Sequence, residues 1–237
     1  MIPIPLLDNP AWSALTTVQA GFALGTPRVK RYAPGILPFV GFAPDGGPME
    51  LDPFITADES FYVIGELPPL PPHWTLELEL PCAQLLAPDD LRGLPSGTEI
   101  VVELGEADKE EMFRLITRVQ PGYYHPDTRQ LGDYFGIRKD GILVAMAGER
   151  MRMTGYSELS AVCTLPEYTG RGYAQQLMAH LCRRQAAAGI TSFLHVAKVN
   201  QRALRLYEHL GFRYRRDIAF RRVRKEDAAR RPAHRLR

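Results

Sequence analysis

The sequence predicts an α/β fold, and three patterns in it carry that expectation. Short runs rich in β-forming residues recur along the chain, among them SFYVIG at 60–65. Residues 171–188 place Ala174, Leu177, Met178, Leu181 and Cys182 on one helical face and stop at Gly189. Proline divides the chain: sixteen of its twenty prolines precede Gly97, so long helices are expected only in the second part.

In the first part, residues 12–24 suit a short helix ended by Gly25 and Pro27, and residues 36–42 and 60–65 suit strands. Residues 74–80 alternate Trp74, Leu76, Leu78 and Leu80 with Thr75, Glu77 and Glu79, the pattern of a half-buried strand. Residues 1–96 are therefore expected to form a small, Pro-rich α/β unit. Pro68-Pro69-Leu70-Pro71-Pro72 reads as a stiff connector or a polyproline ligand, and Pro95-Ser96-Gly97 as a boundary.

The second part, residues 97–224, is denser in elements. Residues 100–104 are β-rich, and 107–119 carry Met112, Leu115, Ile116 and Val119 at helical spacing. Residues 134–138 and 142–151 form a hairpin pattern across Lys139-Asp140-Gly141. Strands are expected at 159–164 and 193–196, a helix at 200–210 capped by Asn200 and stopped by Gly211, and a closing strand at 214–223.

Composition bounds the function. The chain has 237 residues, 45% of them apolar and 24% charged, as in ordinary globular proteins. A net charge of +2 gives no strong field for nucleic acid, and the basic stretch 225–237 reads as a solvated tail. Cys82, Cys163 and Cys182 are far apart, without CxxC or His/Cys spacing, so reduced thiols and no metal site are expected. The N-terminus lacks signal-peptide features, and no run approaches the ~18 apolar residues of a membrane span. A cytoplasmic protein with no membrane partner is expected.

Two segments carry chemistry. From Val162 to Ala174 a strand runs through Thr169-Gly170-Arg171-Gly172 into a helix. Glycines let backbone N–H groups approach an anion, and a helix N-terminus adds partial positive charge; the same glycines also suit a plain tight turn. Neither GxGxxG nor GxxxxGK[ST] is present, which disfavours dinucleotide and nucleotide-triphosphate folds. Downstream, NQRALRLYEHLGF places Asn200 at a helix start and Tyr207 seven residues on, along the same helical face. By itself Tyr207 suits an aromatic core position.

Together, the strand-loop-helix that ends in RGYA and the later NxxAxxLYExLGF resemble the GNAT superfamily of N-acetyltransferases over about Thr98 to Val223. The segment ALTTVQAGFALG more loosely resembles the glycine N-acyltransferase branch. The resemblance implies a mixed, mostly antiparallel sheet flanked by helices, whose central strands near 159–164 and 193–196 splay to admit acetyl-CoA. It implies that backbone from Val162, Cys163 and Thr164 holds the pantetheine arm, and that Thr169, Gly170, Arg171, Gly172, Tyr173 and Ala174 hold the pyrophosphate. Thr169 departs from the family's Gln or Arg there. Asn200 matches a contact near the thioester, and Tyr207 the general acid.

The chemistry fits these residue types. A neutral amine must attack the thioester, a backbone donor near Val162 can steady the tetrahedral oxyanion, and a phenol can protonate the leaving thiolate. Glu158 and His195 compete as the assisting base, since each stands where a branch of the family keeps one; both also suit satisfied polar positions in the sheet. Glu149-Arg150 and Tyr123-Tyr124-His125 suit either an acceptor pocket or a surface ion pair and a packed loop. The expected partner is a small-molecule or peptide amine, with a homodimer left open. Two alternatives stand beside acetyl transfer: a non-catalytic acyl-CoA-binding module, or an enzyme using another acyl-CoA and an amino-acid acceptor.

Overall fold

A computed structural model describes residues 4–122 and 124–227. The elements follow in the order α1 (Pro10–Leu15), β1 (Ala23–Gly25), β2 (Val29–Tyr32), β3 (Phe39–Phe42), α2 (Pro48–Leu51), β4 (Ser60–Ile64), β5 (Trp74–Leu86) and β6 (Val102–Glu103). They continue with α3 (Lys109–Val119), β7 (Tyr134–Lys139), β8 (Ile142–Met153), β9 (Tyr156–Thr164), α4 (Tyr173–Ala187), β10 (Thr191–Ala197), α5 (Gln201–His209) and β11 (Arg213–Lys225). All eleven strands join one sheet in the order β1-β2-β3-β4-β11-β5-β10-β9-β8-β7-β6. Only β3–β4 and β9–β10 pair in parallel. The fold is α/β with a mixed, mostly antiparallel sheet flanked by helices.

Three expectations are corrected. The helix expected over 12–24 is α1, which stops at Leu15. Pro10 opens it, and the Thr16 and Thr17 hydroxyls turn back onto the carbonyls of Trp12 and Ser13 at 2.8 and 2.5 Å, competing with its continuation. The strand expected to end at Leu80 runs through Pro81 to Leu86. Proline is tolerated because β10 pairs with β5 only from Cys82 onward. Most consequentially, the expected break at residue 96 does not divide the sheet. Strand β5, from the first part, lies between β10 and β11 of the second, and β11 in turn pairs with β4. Strand β11 is thus internal and takes in Arg224 and Lys225; of the expected tail, residues 228–237 lie outside the described residues.

The sheet buries both faces. On one, α4 seats Leu177, Met178, Leu181 and Cys182 against Ile137, Val144, Leu159 and Leu194. Each such side chain contributes about 1.5–3 kcal/mol by leaving water. On the other, α1 packs with Tyr32, Phe39, Phe193, Ile218 and Phe220. Helix α1 lies so close to β3 that a Cβ at Gly41 would meet the Trp12 nitrogen at 2.4 Å, so only glycine fits there.

The strands that matter for function part company. Residues 191–193 of β10 pair with 156–158 of β9, and no pairing follows beyond them. In β9 three steps from Ser160 to Cys163 oppose two in β8 from Gly148 to Met146, and Ala161 sits at φ 52°. This bulge bends β9 where it leaves β10, at a local cost of about 1–2 kcal/mol for a non-glycine left-handed residue.

Candidate active site

The parted strands open a cleft of about 940 Å³, near the upper end for small-molecule sites. It is lined by residues 160–164 of β9 and 195–197 of β10, by the loop 168–175, by residues of α5, and by Leu80, Arg150 and Phe220. The expected residues Val162, Cys163, Thr164, Thr169, Gly170, Arg171, Gly172, Tyr173, Ala174, Asn200, His195 and Tyr207 all border this cleft.

At the loop end, Gly170 and Gly172 both have φ 79°, and Gly172 is the N-cap of α4 with no side-chain cap. Among the described residues, the backbone N–H groups of 170–175 donate to no protein acceptor, and the first bond into the helix is Gln176 N–H to Gly172 O at 3.0 Å. Six open donors at a helix start form a ready cradle for an anion. The Arg171 guanidinium lies 4.9 Å from the Tyr168 ring centroid, and the Thr169 hydroxyl is turned away onto Pro166 O at 2.9 Å. The Thr169 N–H is likewise taken by Pro166 O, at 3.3 Å, so the open donors begin at Gly170.

At the N-cap of α5, Asn200 Oδ1 accepts from Ala203 N–H at 3.1 Å, and the residue borders the cleft. The Tyr207 ring packs at 5.9 Å from Phe212, and its hydroxyl has no partner among the described residues. Burial pushes the phenol up to about 12, so it holds its proton at neutral pH.

Beneath the far end lies a buried ionic cluster. Glu158 is fully buried and takes Arg150 Nε at 2.8 Å, Arg150 Nη2 at 2.6 Å and His195 Nδ1 at 2.7 Å. Burial pushes its carboxyl up, but Arg150 and His195 outweigh this and hold it at about 2. Gln84 Nε2 donates to Leu7 O at 2.8 Å and faces His195 Nε2 at 2.9 Å, while its Oε1 accepts from Arg215 at 2.7 Å. These bonds fix the imidazole: Nδ1 carries the hydrogen toward Glu158, and Nε2 holds the lone pair. Glu158 and His195 are thus one unit rather than rivals, and Glu158 reaches the cleft only through His195 and Arg150.

The neighbouring Glu149 faces the other way, bonded to Ser157 at 3.0 Å and Gln185 at 2.8 Å, so Glu149 and Arg150 form no ion pair with each other. Tyr124 borders the cleft, whereas Tyr123 lies outside the described residues. Sequence reasoning missed Gln84, Phe39 and Phe220. Phe39 and Phe220 fell in expected strands and Gln84 beyond the expected end of one; all three reach the site across strand pairings distant in the chain. The three thiols are no nucleophiles near neutrality: burial pushes Cys82 and Cys163 up to about 12 and Cys182 to about 11.

A family model described as FR47-like protein matches residues 134–221. A GNAT-family protein from Novosphingobium aromaticivorans DSM 12444 superposes with a TM-score of 0.85 at 34% identity, over 93% of this chain and 99% of that one. A GCN5-related N-acetyltransferase from Kribbella flavida shares the fold with a TM-score of 0.58 at 16% identity, over 97% and 98% of the two chains. Another from Sphaerobacter thermophilus does so with a TM-score of 0.50 at 13% identity, over 80% and 72%. No curated protein sequence matches the chain. Fold and cleft together define an acyltransferase. The chain belongs to the GNAT superfamily of N-acetyltransferases.

Proposed function

We propose that this protein transfers an acetyl group from acetyl-CoA directly to a primary amine. The observation that carries the reading is the run of six open N–H groups at 170–175, beside a cleft between β9 and β10, which cease to pair with each other after residues 158 and 193. Such donors suit a pyrophosphate, and the exposed edges of β9 and β10 suit the amide-bearing pantetheine arm. Acetyl-CoA would supply the activated thioester, and Asn200, which lines the cleft, would contact the arm.

The chain's own residues supply the proton transfers. His195 Nε2 releases its bond from Gln84 and accepts a proton from the amine as the nitrogen lone pair forms the C–N bond. A backbone N–H near Val162 steadies the oxyanion. The C–S bond then breaks, its electron pair leaves on sulfur, and Tyr207 gives that sulfur its proton; solvent restores the phenol and takes the proton from His195. Glu158 acts as a positioning residue that fixes the imidazole. High thiol pKa values support direct transfer without a cysteine intermediate.

A purely acyl-CoA-binding role would give the open Tyr207 hydroxyl and the fixed imidazole no task. Among the described residues no helix is long and apolar enough to cross a membrane. Calorimetric titration with acetyl-CoA and free CoA tests the reading, together with thiol release across a panel of amines. Micromolar binding with amine-dependent thiol release supports it; no binding to either ligand sinks it.

A further inference from the structure

We infer that Gln84 is the residue that keeps His195 free of a hydrogen at Nε2, with Arg215 and the Leu7 carbonyl aiming its amide. All three are positioning groups, and none of them borders the cleft. The inference rests on the acetyl-transfer reading above, in which His195 is the base, and it assigns how that base is held ready.

A base must begin without the proton it is to take. Glu158 alone works against this, because a carboxylate beside an imidazole favours the charged ring. Arg150 shares that carboxylate, yet Glu158 Oε1 still takes His195 Nδ1 at 2.7 Å. The second hydrogen has to be refused on the other side of the ring.

Gln84 stands on that side. It lies opposite His195 in the pairing of β5 with β10, and its Nε2 is 2.9 Å from His195 Nε2. Its amide has one workable orientation. Nε2 also lies 2.8 Å from Leu7 O, which can only accept, and Oε1 lies 2.7 Å from Arg215 Nη1, which can only donate. Turning the amide over would set two acceptors together at one end and two donors at the other. Arg215 is anchored in its turn, since its Nη2 donates to Asp8 Oδ1 at 2.6 Å. Gln84 therefore presents an N–H to His195, and only a lone pair on Nε2 can accept it. A hydrogen there would face that N–H donor to donor. Water cannot relieve the conflict, because Gln84 is fully buried and the His195 side chain is 2% exposed. Phe193 and Phe220 stand edge-on to the ring, with centroids 5.6 and 5.1 Å away, and limit its rotation.

The other groups around the ring leave this balance to Gln84. Arg150 on β8 is paired with Glu158. Burial pushes the Cys82 thiol on β5 up to about 12 and raises the Tyr32 phenol on β2, so both are uncharged at neutral pH. Helix α1 carries no ionisable side chain, and Arg215 on β11 bonds Gln84 at the end away from the imidazole. The proton that His195 takes during turnover meets Gln84 as an opposing donor, which favours its return to solvent.

The imidazole can be read directly. In protein isotope-labelled at its histidine nitrogens, a long-range proton–nitrogen spectrum separates a hydrogen on Nδ1, on Nε2 or on both, and His195→Asn identifies the signal. The parent at pH 7 should carry its hydrogen on Nδ1 alone. Gln84→Glu puts an oxygen where the N–H stood, with Arg215 still beside it, so His195 should carry both hydrogens at pH 7. Thiol release from acetyl-CoA across the amine panel should then fall about tenfold or more at pH 7 and return as pH rises, with acetyl-CoA affinity by calorimetry unchanged. A group that only packs would lower the rate equally at every pH. Gln84→Met, which offers neither donor nor acceptor, should take up the second hydrogen at a higher pH than the parent does. A parent hydrogen on Nε2, or a parent-like spectrum in Gln84→Glu, overturns the inference. The expected spectra without thiol release from any amine overturn the acetyl-transfer reading and leave the assignment of the imidazole standing. Should Gln84→Glu not fold, the parent spectrum and Gln84→Met decide.

Discussion

His195 Nδ1 lies 2.7 Å from Glu158 Oε1, the same oxygen that takes Arg150 Nη2 at 2.6 Å. One fully buried carboxylate thus neutralises a guanidinium and orients an imidazole. The arrangement couples the stability of the sheet centre to the chemistry of the cleft, and it makes the two separable by measurement.

Stability should depend on Glu158 and on acid. A carboxylate whose pKa falls on folding stabilises the fold above its unfolded value and loses that contribution as pH falls through the folded one. Glu158 drops from an ordinary 4.5 to about 2, so the loss belongs between those values. The contribution at neutral pH is on the order of 3 kcal/mol. Glu158→Gln also strands a buried guanidinium, at about 3–5 kcal/mol. Urea unfolding at pH 7 should show that gap, and it should narrow toward pH 2; a variant as stable as the parent at pH 7 would count against the buried pair.

Catalysis should depend on two groups in different ways. Tyr207→Phe keeps the packing on Phe212 and removes only the hydroxyl, so kcat should fall about 10²-fold or more with CoA affinity unchanged. Because the phenol titrates near 12, its ionisation should impose no loss of kcat up to pH 10. His195→Ala should lower kcat by a similar factor, since it removes the lone pair that Gln84 and Glu158 hold in place. Retention of full activity in either variant would reassign that residue to packing.

The phosphate cradle should fail with its glycines. Gly172 holds φ 79° at the N-cap of α4, where a β-branched residue is strained by about 1–2 kcal/mol and turns the N–H groups aside. Gly172→Val should therefore weaken CoA binding about tenfold or more by calorimetry. Its far-ultraviolet circular dichroism should stay unchanged, since a Cβ there meets nothing closer than the Gln175 side chain at 3.5 Å.

The second part of the chain should not fold alone. Residues 97–237 lack β5, which hydrogen-bonds β10 on one side and β11 on the other. Removing it leaves two internal strands with open edges and strips Gln84 from His195. The truncated chain should give no cooperative thermal transition, whereas the full chain should show one; a cooperative transition in the fragment would restore the division at residue 96.

The sequence by itself determined the local pieces of this protein. The β-rich run at 60–65, the helix behind Gly172, the cap at Asn200 and the open-amide loop are properties of short segments. Their chemistry follows from residue type and spacing within about a dozen positions. The tertiary structure alone decided which strands are neighbours. Strand β5 enters the centre of the sheet although an apparent boundary follows it, because strand pairing is set by long-range burial on both faces, which period-two alternation cannot encode. The same cause made Glu158 and His195, 37 residues apart, into partners and brought Phe39, Gln84 and Phe220 to the cluster. Each side chain was visible in the sequence, but its charge state and direction depend on neighbours that only the closed sheet supplies.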